Sequence, residues 1–507
     1  MTTRSYKEAI DCLNTLQSNT ATLQAARDSG GRLAEFAMHE TEEYLSRIGY
    51  LPEDLNKLNV LHVTGTKGKG STCAFADSIL RRCMPHWTVG LYTSPHLVAV
   101  RERIRINGEP ISEKDFAKYF FEVWDRLEAN SLRRYETTSP KPMYFRMVTI
   151  VAFHAFCSLK VDATVLEVGV GGMYDCTNIV PKPIVTGISA LGIDHVAVLG
   201  KTLAEIAWQK GGIYKKGVPA YTVNQPPEGF TVLERQAMDR GASSFTVVPL
   251  TPSLSDIQLG LAGSHQYQNA NLAIHLVRNF LQVQAPASQS NASDDTLPEP
   301  FVEGLRTAKW PGRCQTVRDP LHEGTTWFLD GAHTVDSLEC CVQWFVSPTV
   351  ALRIKSNAEK STTRILIFNC TNGRNGVSFL GTILSKTNSQ LLLHAEKDEQ
   401  NAKELFDHVI FCSNVTYADG GFKGDLTSLV TAESNNLAVQ RELSAAWSTL
   451  APEFPPENIH VLPSIEHAVT VVRDLENHGM LVDVLVTGSL HLIGGTIEVA
   501  GLSNVAL

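Results

Sequence analysis

The residues that most directly suggest chemistry form the stretch VTGTKGKGST, Val63 to Thr72. Its three glycines allow backbone N–H groups to converge on a phosphate, Lys69 can neutralise the phosphate charge, and the hydroxyl of Ser71 can reach a metal ion. The usual phosphate-binding loop has Gly-Lys followed directly by Ser or Thr, whereas Gly70 here separates Lys69 from Ser71. The stretch alone therefore leaves three readings open: an altered phosphate-binding loop, a glycine turn, or the loop of a different ATP-using family.

The elements around this stretch favour phosphate binding, because NVLHV before it reads as a buried strand and STCAFADSILRRC after it has helical spacing. Strand and helix signals alternate along most of the chain, which predicts an α/β fold. Further buried strands are expected in DATVLEVGV, PIVTGISAL, TTWFLD, RILIFN, HVIFC and VDVLVT, and further helices in FRMVTIVAFHAFCSL, DSLECCVQWF and SIEHAVTVVRDL.

Two polar segments interrupt this alternation. Residues 284–300, QAPASQSNASDDTLPEP, are too poor in apolar side chains to form a core and are expected to be a linker. A domain boundary is therefore predicted near residues 300–310. Residues 413–458 are also polar and are interpreted as an insertion in the second domain.

Composition excludes several classes of protein. The net charge is −9 over 507 residues, which argues against a nucleic-acid-binding protein but not against a locally basic pocket for small anions. The ten cysteines include no Cys-x-x-Cys pair, which argues against a zinc site or a disulfide scaffold. No apolar run could span a membrane, and the N-terminus does not resemble a signal or transit peptide. We expect a cytoplasmic protein, with a form in the mitochondrial matrix left open.

Further motifs accompany the glycine-rich stretch in a fixed order: YTSPHLVAVRERIRINGEPIS, LEVGVGGMYDCTNIV, LGIDHVAVLGKTLAEIAWQKGGIYKKGVPA, WPGRCQ, LDGAHT and VTGSLHLIGG. Together they resemble the folylpolyglutamate synthase family of the Mur ligase superfamily, in its eukaryotic form, from about residue 5 to 495 apart from the linker and the insertion. The family's own loop reads Gly-Thr-x-Gly-Lys-Gly-Ser, so GTKGKGS is similar to it without alteration. The sequences DGAHTV, Phe145-Arg146 and Lys210-Gly-Gly-Ile213 also match the eukaryotic form where bacterial relatives differ.

The resemblance implies a fold of two α/β domains. Residues 1–300 would form an ATP-binding domain of the P-loop type that also holds the folate site, with a mostly parallel sheet flanked by helices. Residues 301–507 would form a smaller Rossmann-like domain that holds the glutamate-ligase residues.

The resemblance also implies an activity, the ATP-dependent ligation of L-glutamate to the γ-carboxyl of a folate through an acyl phosphate. Dihydrofolate synthase, which uses dihydropteroate on the same fold, is the alternative. A P-loop kinase or switch would not need the cluster Asp330, His333 and Ser489, and a non-catalytic ATP-binding module would be expected to lack Lys69, Glu167 or His195. ATP, Mg²⁺ (as one or two ions) and a monovalent cation such as K⁺ are the implied cofactors. Folate and L-glutamate are the implied partners of a monomeric protein.

Site residues are carried over from the family motifs position by position. In the first domain they are the loop residues Gly65, Thr66, Lys67, Gly68, Lys69, Gly70 and Ser71, the metal ligands Ser94, Glu167 and His195, the substrate contact Pro95, the catalytic Lys210, and the nucleotide contacts Gln266 and Asn269. In the second domain they are the nucleotide contacts Arg313 and Asp330, the catalytic and substrate residue His333, and the substrate contact Ser489.

Several of these residues have a plain structural reading as well. Glu167 can cap a turn at a strand end, His195 can be a structural histidine, and Asn269 can be a helix N-cap. Lys210, expected in the middle of a helix, can be an exposed helix lysine, whereas the family carries a carbamylated lysine there. That modification requires a neutral amine, and hence a pKa lowered by burial.

The segment RERIRI is expected to be a strand that carries Arg101, Arg103 and Arg105 on one face, by the period of two. Two interpretations of that face remain open. It can be an exposed edge strand protected by charge, or it can be a cationic wall for anionic substrates.

Overall fold

The computed structural model describes residues 4–17, 32–136, 138–286, 296–352, 362–370, 375–394, 405–426, 437–477 and 480–507. The chain divides into two compact units. The first comprises residues 1–96, 100–260 and 266–309, and the second comprises residues 97–99, 261–265 and 310–507. No helix of the described residues is long and apolar enough to cross a membrane.

The first unit is built on a mostly parallel sheet, whose strands in chain order are β1 (Val60–Thr64), β2 (Val89–Tyr92), β3 (Ile104–Ile106), β4 (Glu109–Pro110), β5 (Ala163–Glu167), β6 (Val185–Ile188), β7 (Pro219–Thr222) and β8 (Ser244–Val247). Their order across the sheet is β4-β3-β2-β5-β1-β6-β7-β8, and only β3 and β4 run antiparallel to their neighbours. β1, β5 and β6 are buried along their whole length, as parallel strands covered on both faces must be. The strands expected in these three segments are confirmed.

Helices cover both faces of this sheet. They are α1 (Tyr6–Asn14), α2 (Arg32–Arg47), α3 (Lys69–Cys83), α4 (Glu113–Ala129), α5 (Tyr144–Leu159), α6 (Val196–Leu199), α7 (Leu203–Gly211), α8 (Pro227–Asp239), α9 (Gln266–Gln284) and α10 (Glu299–Thr307). Side chains of α1, α2, α4 and α5 form one large apolar cluster, and α3 packs against α9 and α10. The expected helices α3 and α5 are confirmed.

The second unit contains a smaller sheet with the order β13-β12-β11-β14-β10-β9. Its strands are β9 (Gln315–Arg318), β10 (Thr325–Asp330), β11 (Thr362–Phe368), β12 (His408–Cys412), β13 (Ile459–Leu462) and β14 (Leu481–Thr487), and its helices are α11 (Val335–Phe345), α12 (Gly376–His394), α13 (Ala438–Leu450), α14 (Ile465–Asn477), α15 (Leu490–Val499) and α16 (Ser503–Ala506). Only β9 is antiparallel. Separate apolar clusters lie on the two faces of this sheet, which confirms the expected second α/β sheet.

The sequence places the domain boundary near residues 300–310, and the two compact units divide within that range. A boundary after residue 300 would cut α10, which belongs to the first unit because Ser78 of α3 donates a hydrogen bond to the Gly304 carbonyl at 2.7 Å. The units instead divide after Lys309. Most of the expected linker, residues 287–295, lies outside the described residues.

The interpretation of residues 413–458 as an insertion is wrong for α13. Leu443 and Trp447 of this helix are buried in the core of the second unit, and the Trp447 ring packs against Phe411 of β12. The helix reads as polar because only one of its faces is apolar. Residues 427–436 lie outside the described residues.

Candidate active site

The site residues of the first unit come together because of the strand order. β1 lies between β5 and β6, and β2 lies on the far side of β5, so the carboxyl ends of these four strands are adjacent. Residues that follow parallel strands meet at this edge, which is where open α/β sheets bind ligands. The glycine-rich loop follows β1, Ser94 follows β2, Glu167 ends β5, and His195 follows β6.

The loop after β1 turns directly into α3, for which Gly68 is the N-cap in the left-handed conformation with φ 84°. The first N–H groups of a helix have no partner inside it, so the start of α3 presents donors suited to an anion. The N–H groups of Thr66 and Lys67 instead donate to the Ala190 carbonyl at 2.9 and 3.1 Å. Those two residues therefore fix the loop to the end of β6 through their backbone.

Two glycines of this loop have no room for a side chain. A Cβ on Gly65 would lie 1.9 Å from the Ser189 hydroxyl oxygen, and one on Gly68 would lie 2.0 Å from the Asn269 side-chain oxygen. Gly68 also has a positive φ, which L residues adopt only with strain. The loop thus keeps its shape because it is packed closely against β6 and α9.

Gln266 and Asn269 support the loop from α9. Gln266 is fully buried and donates to the Ser71 hydroxyl at 3.3 Å, and Asn269 donates to the Gln266 side-chain oxygen at 2.9 Å. The N-cap reading of Asn269 is wrong, because α9 begins at Gln266 and Asn269 lies within the helix. Sequence spacing could not show this packing, which joins residues about 200 positions apart in the chain.

Two lysine amines meet at one backbone oxygen of the loop. The Nζ atoms of Lys69 and Lys210 donate to the Gly65 carbonyl at 2.9 and 2.7 Å. Lys210 is 3% exposed, and burial, reinforced by the positive charge of Lys69, holds the pKa of its amine well below the ordinary 10.5. The reading of Lys210 as an exposed helix lysine is wrong, and it lies in the last turn of α7 rather than in the middle of the helix.

Glu167 at the end of β5 is buried, and its Oε2 accepts a hydrogen bond from the Ser94 N–H at 2.9 Å. The structure therefore brings these two implied metal ligands together, and it also supports the reading of Glu167 as a carboxylate that caps a turn. Asp175, a few residues further on, was not singled out from the sequence. Its carboxylate holds this loop through Val170 N–H and the N–H and hydroxyl of Thr177, and burial raises its pKa.

His195 lies at the start of α6 with a left-handed φ of 50°. Its side chain is 54% exposed, and its Nε2 is 3.9 Å from Oδ2 of Asp194. His195 lines a small cleft together with Gly65, Lys69, Gly169 and Lys210. His195 therefore lies next to the phosphate loop. A histidine with a purely structural role would not need that position.

The donor set fits the implied Mg²⁺. A carboxylate, a hydroxyl and one imidazole leave the remaining positions to water and substrate oxygens, as Mg²⁺ prefers. No group of three His, Cys, Asp or Glu side chains in the described residues could hold a metal ion by itself.

The expected strand RERIRI is wrong in its first half. Val100–Arg103 form a 3-10 helix, and only Ile104–Ile106 belong to β3. The three arginines consequently point to different partners, and they form neither a charged strand face nor a continuous cationic wall. β3 is also not an edge strand, since β4 covers it.

In the second unit, the residues carried over from the family lie at the carboxyl ends of β10 and β14. Asp330 ends β10 and accepts from the N–H groups of Cys314 at 2.7 Å and Ala332 at 3.0 Å. The Arg313 side chain lies against Gly331, the residue that follows Asp330. A Cβ added to Gly331 would be 2.6 Å from a terminal nitrogen of Arg313.

His333 and Ser489 belong to the same edge of this sheet. Nδ1 of His333 is 3.1 Å from the Gly331 carbonyl, so Nδ1 carries a proton there. Ser489 is the N-cap of α15 and lies two residues after Thr487, which pairs with Asp330 across β10 and β14. The second sheet thus brings together Arg313, Asp330 and His333, with Ser489 just after the neighbouring strand β14.

The chain matches curated relatives over nearly its whole length. It is 42% identical over 507 residues to the folylpolyglutamate synthase of Neurospora crassa, covering 98% of this chain and 91% of the relative. It is 43% identical over 514 residues to that of Candida albicans, covering 98% and 96%. The chain belongs to the folylpolyglutamate synthase family.

Solved structures agree in fold. A Mycobacterium tuberculosis folylpolyglutamate synthase complexed with ADP and AMPPCP superposes with a TM-score of 0.66 at 22% identity, over 92% of this chain and 95% of that chain. An Escherichia coli FolC in complex with DHPP and ADP gives 0.63 at 21% identity, over 99% of each chain. The two-unit α/β fold is therefore that of folylpolyglutamate synthases, and no family model matches the chain.

The loop geometry makes a prediction about Gly68. Gly68→Ala should weaken binding of ATP, the ligand predicted for this loop, by roughly tenfold or more, because left-handed strain alone costs about 1–2 kcal/mol. The clash with Asn269 adds to that strain. Calorimetric titration with ATP would measure the effect.

Gly217→Ala is the matched control, since Gly217 also has a positive φ, 74°, but no neighbouring atom within 4 Å of an added Cβ. This variant should bind ATP as the unaltered protein does. Unchanged ATP binding by Gly68→Ala would contradict the account of the loop.

Proposed function

We propose that this chain is a tetrahydrofolate:L-glutamate γ-ligase (ADP-forming), which extends the polyglutamate tail of folates for one-carbon metabolism. The observation that carries the proposal is the meeting of Lys69 and Lys210 at the Gly65 carbonyl, inside a loop fixed by β6 and α9. Identity of 42–43% with folylpolyglutamate synthases over nearly the whole chain supports the same activity.

The reaction requires the first unit to bind phosphate groups and to neutralise their charge. A folate carboxylate attacks the terminal phosphoryl group of ATP, which forms an acyl phosphate and ADP, and the amine of glutamate then displaces phosphate from the acyl carbon. The first step depends mainly on positioning and on charge neutralisation. The N–H groups at the start of α3 and the ammonium of Lys69 are the donors placed for it.

Bound Mg²⁺ would neutralise phosphate charge at this edge of the sheet. Ser94, Glu167 and His195 are the residues proposed to hold it, and a second ion and a monovalent cation such as K⁺ belong to the same proposal. Glu167 is buried and pairs with Ser94, so its carboxylate is held in one orientation without a metal ion. Pro95, next to Ser94, is proposed to contact the folate.

The second unit is proposed to supply further contacts to both substrates. Arg313 and Asp330 are assigned to the nucleotide, and His333 and Ser489 are assigned to the incoming glutamate. Nδ1 of His333 donates to the Gly331 carbonyl, which holds the imidazole at the carboxyl end of β10. His333 would then assist the second step rather than the phosphoryl transfer.

Lys210 is proposed to be carbamylated. Its neutral amine would attack CO₂ at carbon, forming an N–C bond and releasing one proton, and the anionic product would become an oxygen ligand beside Lys69. The lowered pKa of the amine supplies the neutral form that this reaction needs. The conversion would also place an anionic group beside the ammonium of Lys69, to which it would be attracted.

The proposed setting is a monomer in the cytoplasm, or in the mitochondrial matrix. All ten cysteines are free thiols, which suits a reducing compartment.

Product analysis tests the proposed activity. Incubation with ATP, glutamate and tetrahydrofolate should yield, by mass spectrometry, folates longer by one glutamyl residue, with one ADP formed per residue added. Dihydropteroate replaces the folate in a parallel reaction, and preferential use of it would instead identify a dihydrofolate synthase. ATP hydrolysis independent of the folate would contradict both assignments.

Carbamylation of Lys210 leads to a separate prediction about protein mass and activity. The intact mass of the native protein should exceed the sequence mass by one CO₂, and this increment should be absent from Lys210→Ala. The variant should lose nearly all ligation, and short carboxylic acids should partly restore it, because they supply the missing carboxylate. Full activity of protein shown to carry an unmodified Lys210 would rule the carbamate out.

A further inference from the structure

The arginines of RERIRI are not explained by the phosphate loop, and the structure separates their roles. Arg105 is buried and donates to the Gly108 carbonyl at 3.1 Å, and Arg101 donates to the Ile111 carbonyl at 3.3 Å. Both therefore hold the β3–β4 turn and the start of α4. Arg103 has a different environment.

Arg103 is held from two sides while its terminal nitrogens stay available. Its Nε donates to Nδ1 of His96 at 2.9 Å, and its guanidinium lies 5.8 Å from the centre of the Tyr144 ring. Among the described residues, the hydrogen bond of the Arg103 side chain is made by Nε and not by its two terminal nitrogens. A guanidinium fixed at Nε and over a ring presents its two outer nitrogens as a fork that suits a carboxylate.

The position of Arg103 places this fork near the proposed folate site. The Thr93 N–H donates to the Arg103 carbonyl at 3.0 Å, and the next residue, Ser94, donates to Glu167. Phe145, the residue after Tyr144, packs its ring against Gly169, which follows β5. A Cβ added to Gly169 would lie 2.4 Å from that ring. Arg103 therefore borders the loops that follow β2 and β5.

Distance separates Arg103 from the phosphate loop. β3, β2, β5 and β1 are successive strands of the sheet, so three inter-strand spacings, about 14 Å, lie between the start of β3 and the loop after β1. The loop already has Lys69 for phosphate. An anion at Arg103 is hence a group of the acceptor substrate other than the phosphates, which the loop after β1 binds.

We propose that Arg103 binds an α-carboxylate of the folate's glutamate tail. Each glutamate joined through its γ-carboxyl leaves its α-carboxylate free, so the acceptor carries such a group next to its reactive carboxylate. The inference rests on the ligase function proposed above, and it names the group of the acceptor substrate that Arg103 binds. Dihydropteroate has no such group, because its only carboxylate is the one that reacts.

A ligand pair tests the proposal by equilibrium binding. The pair is tetrahydrofolate and its α-carboxamide, which retains the γ-carboxylate, and binding is measured by calorimetry in the presence of a non-hydrolysable ATP analogue. The unaltered protein should bind the acid about 10- to 100-fold more tightly than the amide, the range expected for a charge-assisted pair. Arg103→Gln should bind the two ligands equally.

Two further variants sharpen the comparison. Arg103→Lys keeps the charge but loses the fork, so it should retain only part of the preference for the acid. Arg235→Gln is the control, because Arg235 is an exposed arginine on α8 whose side chain is 79% accessible. It should leave the preference unchanged.

The outcomes separate the possible roles of Arg103. Equal weakening of both ligands in Arg103→Gln would indicate a structural role and overturn the proposal. A raised KM for ATP or for free glutamate, with the acid preference intact, would assign Arg103 to those anions and also overturn it. Failure of the ligase proposal would show separately, as absence of glutamylated product from the unaltered protein.

Discussion

The Gly65 carbonyl oxygen, which accepts hydrogen bonds from both Lys69 and Lys210, is the contact on which the candidate site depends. Two ammonium groups cannot share one buried oxygen without repulsion, and burial penalises the charge of Lys210 further. The amine of Lys210 is therefore driven towards its neutral form. The Gly65 carbonyl thus holds two lysines with different roles. Lys69 is placed to neutralise phosphate, and Lys210 is placed to react as an uncharged amine.

The rest of the first unit keeps that oxygen in place. β1 is buried between β5 and β6, the loop after it is tied to Ala190 by two backbone hydrogen bonds, and Gln266 and Asn269 close it from α9. The same strand order puts Glu167 and His195 beside the loop. Preorganised donors of this kind lower a barrier because they need no rearrangement when charge develops.

Much of this arrangement could be predicted from the sequence, because buried parallel strands read as short apolar runs and the glycine-rich loop lies between a strand and a helix. β1, α3, β10 and β14 were predictable for that reason. RERIRI was not, since alternation over six residues fits a strand but cannot exclude a 3-10 turn that sends each arginine to a different partner. The burial of Lys210 and the support of the loop by Asn269 depend on contacts between distant parts of the chain, and α13 was missed because its apolar face is narrow.

The most direct test of the account is the rate of phosphoryl transfer in Lys69→Ala, measured in a single turnover with saturating ATP and folate. Lys216→Ala, which removes an exposed lysine away from the cleft, is the control. Lys69→Ala should be slower by about 10²- to 10³-fold, the usual cost of losing one preorganised donor, while its thermal unfolding and that of the control remain unchanged. A rate within about threefold of the unaltered protein, less than 1 kcal/mol of barrier, would contradict the assignment of this loop as the phosphoryl-transfer site.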